Sequence, residues 1–415
     1  MRFRGSHIAE EPAKRPLGFR QLTEFLAIKR NTALLLVALV LAGTGERLWL
    51  VFAPKYLQVL GAGVFVIGCF DALQTLLGAL YAYPGGWLTD HWGQRRSLTL
   101  FSCLSLAGYA LVLLWHHWLA LLLGSFLFLA WSAFSLPATF SIVATSLDRS
   151  RHAMGIGVQS MVRRVPMMIG PLAGGWLISR FGWAQGIRYA LLACIFLSVL
   201  TMLVQLWIAE PRRELARTSS LQSRPNFLSV VSNFTPALRE LLVSDILIRF
   251  CERLPYAWVI LWAMNYGGVT AQQYGVLVSV EMITAMICYI PVAHLADRFG
   301  RRPFVLITFL FFTLFPLSLV WARSFGGLTL AFMIRGLKEF GEPARKALII
   351  EEATPELRAR TYGAYYLIRD TVVTTGAFLG AWLWQISPVA NFIGAAAFGA
   401  AGTIWLWFFV YRRRP

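Results

Sequence analysis

The chain has 415 residues, 57% of them hydrophobic and 14% charged, with 16 Trp, 30 Phe and a formal net charge of +18. That is too apolar for one soluble domain. The positive charge invites a nucleic-acid reading, which its distribution along the chain sets aside.

Residues 1–30 are polar and basic throughout and lack the pattern of a cleaved signal, so the first apolar span is expected to stay as an anchor. Segments of about 20 apolar residues, the length a helix needs to cross the hydrocarbon core, follow at 33–53, 64–88, 97–115, 119–146, 154–178 and 186–208. Six more follow at 241–265, 272–293, 303–322, 327–350, 361–384 and 391–410. The expectation is an all-α polytopic membrane protein of about twelve helices. Its parts are a tail at 1–32, a six-helix bundle at 33–208, a central loop at 209–240, a second bundle at 241–410 and a basic tail at 411–415. Lys and Arg gather in one alternating set of connections: the N-terminal tail, 90–96, 147–152, 209–240, 294–302, 351–360 and Arg412 to Arg414. The opposite set holds little more than Lys55, Arg180 and Arg323. This positive-inside bias puts both termini in the cytoplasm. The basic charge is then topological, with attraction to anionic lipid as a by-product, and nucleic acid is not expected as a partner. All five cysteines lie inside spans without CxxC spacing and read as small apolar fillers, with no metal site indicated.

The break AEPRRELARTSSLQSRPNFLSVVSNFTP divides the spans six and six, and the two halves repeat each other. An offset of 206 residues carries Glu46-Arg47-Leu48 onto Glu252-Arg253-Leu254, Pro137-Ala138 onto Pro343-Ala344 and Arg163 onto Arg369. It also carries Gly170 onto Gly376, Gly174 onto Gly380 and Trp176-Leu177 onto Trp382-Leu383. Two loops, GGWLTDHWGQRRSL after the second span and AHLADRFGRRPFVL after the eighth, show a shared motif. Here the chain resembles the major facilitator superfamily, whose loop signature is matched by Gly86, Leu88, Asp90, Gly93, Arg95 and Arg96. Asp297, Arg298, Gly300, Arg301 and Arg302 match it again after Leu295, although Ala293 replaces the Gly, and His91 and Gln94 depart from two usually basic positions. The resemblance covers nearly the whole chain. It implies a secondary transporter working by alternating access, with these loops as cytoplasmic latches made in one state and broken in the other. Gly170-Pro171-x-x-Gly174-Gly175 in the fifth span looks like the motif of the superfamily's proton-coupled exporters, and its small residues also suit close helix packing.

An ionisable side chain at the bilayer centre costs about 2.5–3.5 kcal/mol on insertion scales and so needs a partner or water. At 1.5 Å per residue, Glu46 lies about 20 Å and Arg163 about 14 Å from the inner surface, with Glu252 at about 16 Å and Arg369 at about 12 Å. The heights suggest one Glu–Arg brace in each half. Arg47 and Arg253 point away from the neighbouring Glu and need other partners or a wet cavity. By the resemblance, the first, fourth, seventh and tenth helices line the central cavity. The fourth span carries no charge, whereas the tenth places Arg335, Glu339, Glu342 and Lys346 on one stripe at i, i+4, i+7 and i+11. The seventh adds Asp245, Arg249 and Arg253, with Pro255 as a kink beyond. The unlike walls suit an amphiphilic solute, although Arg345 and Lys346 have the alternative of snorkelling to the inner surface. Asp71 and Glu281 have no acidic counterpart in the other half, and each is either a proton-binding carboxylate or a partner in a helix–helix hydrogen bond.

No GxxxxGK[ST], HExxH or GxSxG motif points to an enzyme. The expectation is therefore a monomeric transporter in the cytoplasmic (inner) membrane that needs no cofactor beyond a proton gradient. Export of a small hydrophobic or amphiphilic organic solute ranks above uptake or flipping of an anionic metabolite or lysophospholipid-like amphiphile, and above a receptor or scaffold.

Overall fold

The computed structural model describes residues 30–132, 162–208, 227–351 and 358–411. The described residues are helical and hold no strand. In chain order the helices are α1 (Arg30–Leu50), α2 (Ala53–Val59), α3 (Val64–Trp92), α4 (Gln94–Leu114), α5 (Trp118–Phe128) and α6 (Arg164–Leu206). Then come α7 (Phe227–Ser232), α8 (Pro236–Arg253), α9 (Trp258–Asn265), α10 (Ala271–Phe299), α11 (Arg301–Trp321), α12 (Phe325–Leu337), α13 (Glu342–Glu351), α14 (Arg358–Ile386) and α15 (Pro388–Trp405), the last followed by a π-helical turn, Leu406–Tyr411. Seven helical segments among the described residues are long and apolar enough to cross a membrane.

Most other expected spans are present as shorter pieces, and the breaks have physical causes. The first span is interrupted after Leu50, where Pro54 has no N–H to continue the ladder. The seventh stops at Arg253, ahead of Pro255, and resumes at Trp258. The tenth breaks between Leu337 and Glu342, where the Gly341 amide donates to the Thr308 hydroxyl at 2.6 Å. The fifth and sixth spans run on as α6 through a sharp bend at Gly182, whose φ of 77° favours glycine.

Turns at the two ends of the bundle rest on positive-φ glycines: Gly61 and Gly268 at one end, Gly93 and Gly300 at the other. These pairs are 207 residues apart, so the repeat slips by one residue between α8 and α10 and shifts the loop motif with it. Elsewhere the halves pack alike. A Cβ on Gly174 would run into the Leu48 carbonyl, and one on Gly380 would strike the Leu254 carbonyl, its counterpart at offset 206. Large apolar side chains such as Phe196, Ile287, Leu330 and Trp382 cover the outside of the bundle, as helices facing lipid require. Trp115, Trp207 and Trp321 stand exposed at helix ends, where indoles favour the membrane interface.

Candidate substrate cavity and its charge networks

A cavity of about 210 Å³ lies between the two halves of the repeat. Arg47, Leu50, Val51 and Pro54 from the first broken helix face Tyr256 of the seventh, Tyr274 and Glu281 of α10, and Arg335, Lys338 and Glu339 of the tenth. Each of the three breaks brings residues to this space, because a helix that stops midway turns side chains and freed backbone toward a cavity.

Toward the Gly61 end the halves are closed on each other. The Lys55 ammonium donates to Asn265 Oδ1 at 2.5 Å and to Gln58 Oε1 at 2.8 Å. The Gln272 amide donates to the Ser179 hydroxyl at 2.9 Å, and the Ser279 hydroxyl to the Met168 carbonyl at 2.7 Å. Glycines make the approach possible. Gly175 lies against the Ala271 carbonyl, Gly275 against the Pro171 carbonyl and Gly68 against Ala381. The fifth-span motif is thus divided, since Gly170 and Gly174 seat the first helix against Arg47 and Leu48 while Gly175 seats α10. At the Gly93 end, Arg95, Arg96 and Arg298 are exposed and, among the described residues, in no ion pair. Arg302 is half-buried, and the side chains of Asp90, Asp297 and Arg301 and the surroundings of Gly86 lie outside what is described.

Asp71 and Arg253 meet across the halves, with Arg253 Nη2 2.8 Å from Asp71 Oδ1 and also donating to the Asp71 carbonyl. Arg164 reaches Glu339 at 3.0 Å, a second ion pair between halves. Glu281 holds Arg335 at 3.2 Å, while the Arg335 guanidinium sits over the rings of Phe315 and Phe332. Asp71 and Glu281 are therefore paired carboxylates.

The second half contains a dense network. Asp245, with 0% of its side chain exposed, accepts from Arg345, from Arg369 at 3.3 Å and from the Tyr365 hydroxyl at 3.2 Å, with Arg249 Nε at 3.9 Å. Glu252 accepts from Arg249 and from Lys338, both at 2.6 Å. Glu342 binds Arg249 at 3.2 Å and Arg345 at 2.7 Å, and Arg369 also binds Asp370 at 2.7 Å. Apart from the exposed Lys346, which lies at 3.6 Å from Glu342, four carboxylates and four cations balance, so desolvation is offset by short contacts.

Two expectations are corrected here. Glu252 does not brace Arg369: Arg249 and Lys338 occupy both of its oxygens, and Arg369 turns to Asp245 and Asp370. The stripe on the tenth helix is not continuous, because the break at 338–341 rotates its two pieces. Arg335 goes to Glu281, Glu339 to Arg164, and Glu342 to Arg249 and Arg345. Arg345 is 2% exposed and does not snorkel, whereas Lys346 is exposed and 3.6 Å from Glu342.

In the first half the equivalent space holds fewer ion pairs among the described residues. Glu46, 7% exposed, lines a cavity of about 110 Å³ with Arg47, Ser132 and Arg163. Among the described residues Glu46 and Arg163 share this space without an ion pair, and Arg47 likewise has no carboxylate partner. The fourth span beyond Ser132 lies outside the described residues. Arg164, Asp370, Tyr256 and Tyr274 were not singled out from sequence, and Lys338 was read only as one of the charges on the tenth span. Arg164 was legible only as the position that the repeat equates with Asp370, a reversal of charge.

A solute-sized space midway along a bundle of lipid-facing helices, closed at one end, defines a membrane transporter. Comparison with known proteins gives the family. The profile of the Major Facilitator Superfamily matches residues 34–268 and 241–415, and the chain belongs to that superfamily. It is 26% identical over 395 residues to the multidrug resistance protein MdtG of Enterobacter lignolyticus, covering 92% of this chain and 91% of that one. It is 25% identical over 396 residues to the multi-drug resistance efflux pump PmrA homolog of Lactococcus lactis, covering 91% and 94%. In fold it resembles the nucleoside transporter NupG (TM-score 0.76, 12% identity, 92% of this chain and 100% of that one). A POT family transporter in complex with 5-aminolevulinic acid is similar to the same degree (TM-score 0.75, 13% identity, 95% and 97%).

Proposed function

We infer that the protein exports amphiphilic organic solutes across the cytoplasmic (inner) membrane in exchange for protons. In this reading two six-helix domains, twelve crossings with both termini in the cytoplasm, rock about the central cavity as a monomer without a cofactor. The carrying observation is the cavity itself, where Tyr256, Tyr274, Ile260 and Met282 offer apolar and aromatic surface beside Arg47, Glu281 and Arg335. The printed names of the multidrug relatives support export. By the positive-inside bias the closed Gly61 end faces outward in this reading.

Glu46 is the proton carrier in this reading. Asp71, Asp245, Glu252, Glu281, Glu339 and Glu342 are each held in ion pairs, and protonating any of them breaks one. Glu46 takes up a proton without that cost. Proteoliposomes test this: a pH gradient should drive accumulation of a fluorescent amphiphile such as Hoechst 33342, and Glu46→Gln should abolish the gradient dependence. Dye movement indifferent to the gradient in the parent protein would refute proton coupling. The second reading, uptake of an anionic metabolite, draws on Arg47, and inward movement of an anion with the proton would favour it.

A further inference from the structure

The repeat makes each half a reference for the other, and among the described residues the two differ at the Glu46 cavity. Three residues lining it, Leu39, Gly43 and Ser132, occupy the positions of Asp245, Arg249 and Lys338 in the second half. There the space is filled by the protein's own charges. Two cations, the Arg249 guanidinium and the Lys338 ammonium, dock on Glu252 at 2.6 Å each, and the Asp245 carboxylate docks on Arg369. In the first half the two receiving groups remain, as Glu46 and Arg163, while the three donated ones have been replaced by an isobutyl group, a hydrogen and a hydroxymethyl group. The Arg163 Nε is buried without a hydrogen-bond acceptor, which costs stability unless something binds there.

We propose that this cavity takes a zwitterionic head of the transported solute, an ammonium on Glu46 and a carboxylate on Arg163, in the places that the second half fills with its own side chains. The proposal rests on the exporter reading for the statement that what binds is also moved. A volume of about 110 Å³ holds such a head, compared with about 30 Å³ for a water. The solute's body would lie toward Tyr256 and Tyr274, since Arg47 and Met167 line both cavities. A single-charge head leaves one receiving group bare in a low-dielectric site, so discrimination against it is strong. Proton and ammonium then compete for one carboxylate, which is the antagonism that exchange requires. Among the described residues, the other charged or titratable groups around Glu46 are Arg47 on its own helix, Arg163 just before α6, Cys194 within α6, and Tyr109 on α4.

The test uses three indoles with a common body. Binding of radiolabelled L-tryptophan to the purified full chain is competed with unlabelled tryptophan, tryptamine and 3-indolepropionate. Tryptophan should compete at least tenfold better than either analogue, and its binding should weaken as the pH falls. Ser132→Lys and Leu39→Asp, which give the first half the second half's own side chains, should each reduce binding at least tenfold in protein that melts at the parent temperature. If one variant does not fold, the other and the analogue series still decide. No saturable tryptophan binding, equal competition by a single-charge analogue, or full binding in a folded variant would overturn the proposal. Gradient-driven transport is scored separately, with radiolabelled tryptophan beside Hoechst 33342: gradient-driven movement with no preference for the zwitterion in binding refutes the head-group site alone, and gradient-driven movement of neither compound refutes the exporter reading alone.

Discussion

Replacing Asp245 with Asn should be among the most damaging single changes in this protein. The carboxylate has no solvent contact and faces Arg345, Arg369 and Arg249, with Tyr365 donating to its second oxygen. Asparagine keeps the shape and one acceptor but removes the charge, leaving the network with four cations and three anions. Each hydrogen bond to a charged group contributes about 1.5–3 kcal/mol, and breaking a buried ion pair by removing one partner costs about 3–5 kcal/mol. All three arginines keep other carboxylates, Arg345 on Glu342, Arg369 on Asp370 and Arg249 on Glu252 and Glu342, which places the expected loss near about 3 kcal/mol, toward the lower end of that range. Unfolding by sodium dodecyl sulfate in mixed micelles measures it, with Arg369→Gln and the double variant completing a cycle. The double variant should be less destabilised than the sum of the singles by more than about 1 kcal/mol, because it restores charge balance. A loss under about 1 kcal/mol for Asp245→Asn, or strict additivity, would refute the view that these charges act as one balanced network.

Gly174→Ala should separate the first helix from α6 and destabilise by about 2 kcal/mol or more, as overpacking does. Gly78→Ala, where an added Cβ meets nothing within 4 Å, should be neutral or stabilising by up to about 1 kcal/mol, and equal melting of the two would refute the packing argument. In a background without the five native cysteines, Lys55→Cys with Asn265→Cys should be joined by a short bis-maleimide, and the joined protein should stop transporting. Undiminished transport would mean that the Gly61 end does not need to open. Asp71→Asn weakens a cross-half ion pair and should raise maleimide labelling of a cysteine at Val51; unchanged labelling would show that the pair does not hold this end shut.

What could be read from the sequence was whatever depends on local composition or on the repeat. Helical content follows from apolar runs, and the first-to-seventh and fifth-to-eleventh correspondences reappear as Gly174 on Leu48 and Gly380 on Leu254. Ion-pair partners were not legible, because they depend on where each helix breaks. Lys338 reaches Glu252 only because α12 ends at Leu337, and no periodicity announces that a helix stops there. Heights along the membrane placed Glu252 and Arg369 within reach of each other, but height says nothing about rotation, and Arg249 at i−3 had the shorter path. The contact between Asp71 and Arg253 joins positions 182 residues apart in different halves, where a repeat within the sequence gives no guidance.

The interruptions at 51–52, 254–257 and 338–341 bear on how force travels through the molecule. An unbroken helix is a stiff rod, and displacing one end swings the other. Two short rods joined by a turn bend at the joint, so the segments bordering the Gly61 end can tilt apart while those below the cavity stay packed. Separation of that end then combines rotation about a few backbone dihedrals beside the solute with parting of the α6–α10 contacts that close it, Gln272 on Ser179 and Ser279 on Met168. Val51, Tyr256 and Lys338 of those same joints line the cavity, so a solute held there would become part of the hinge.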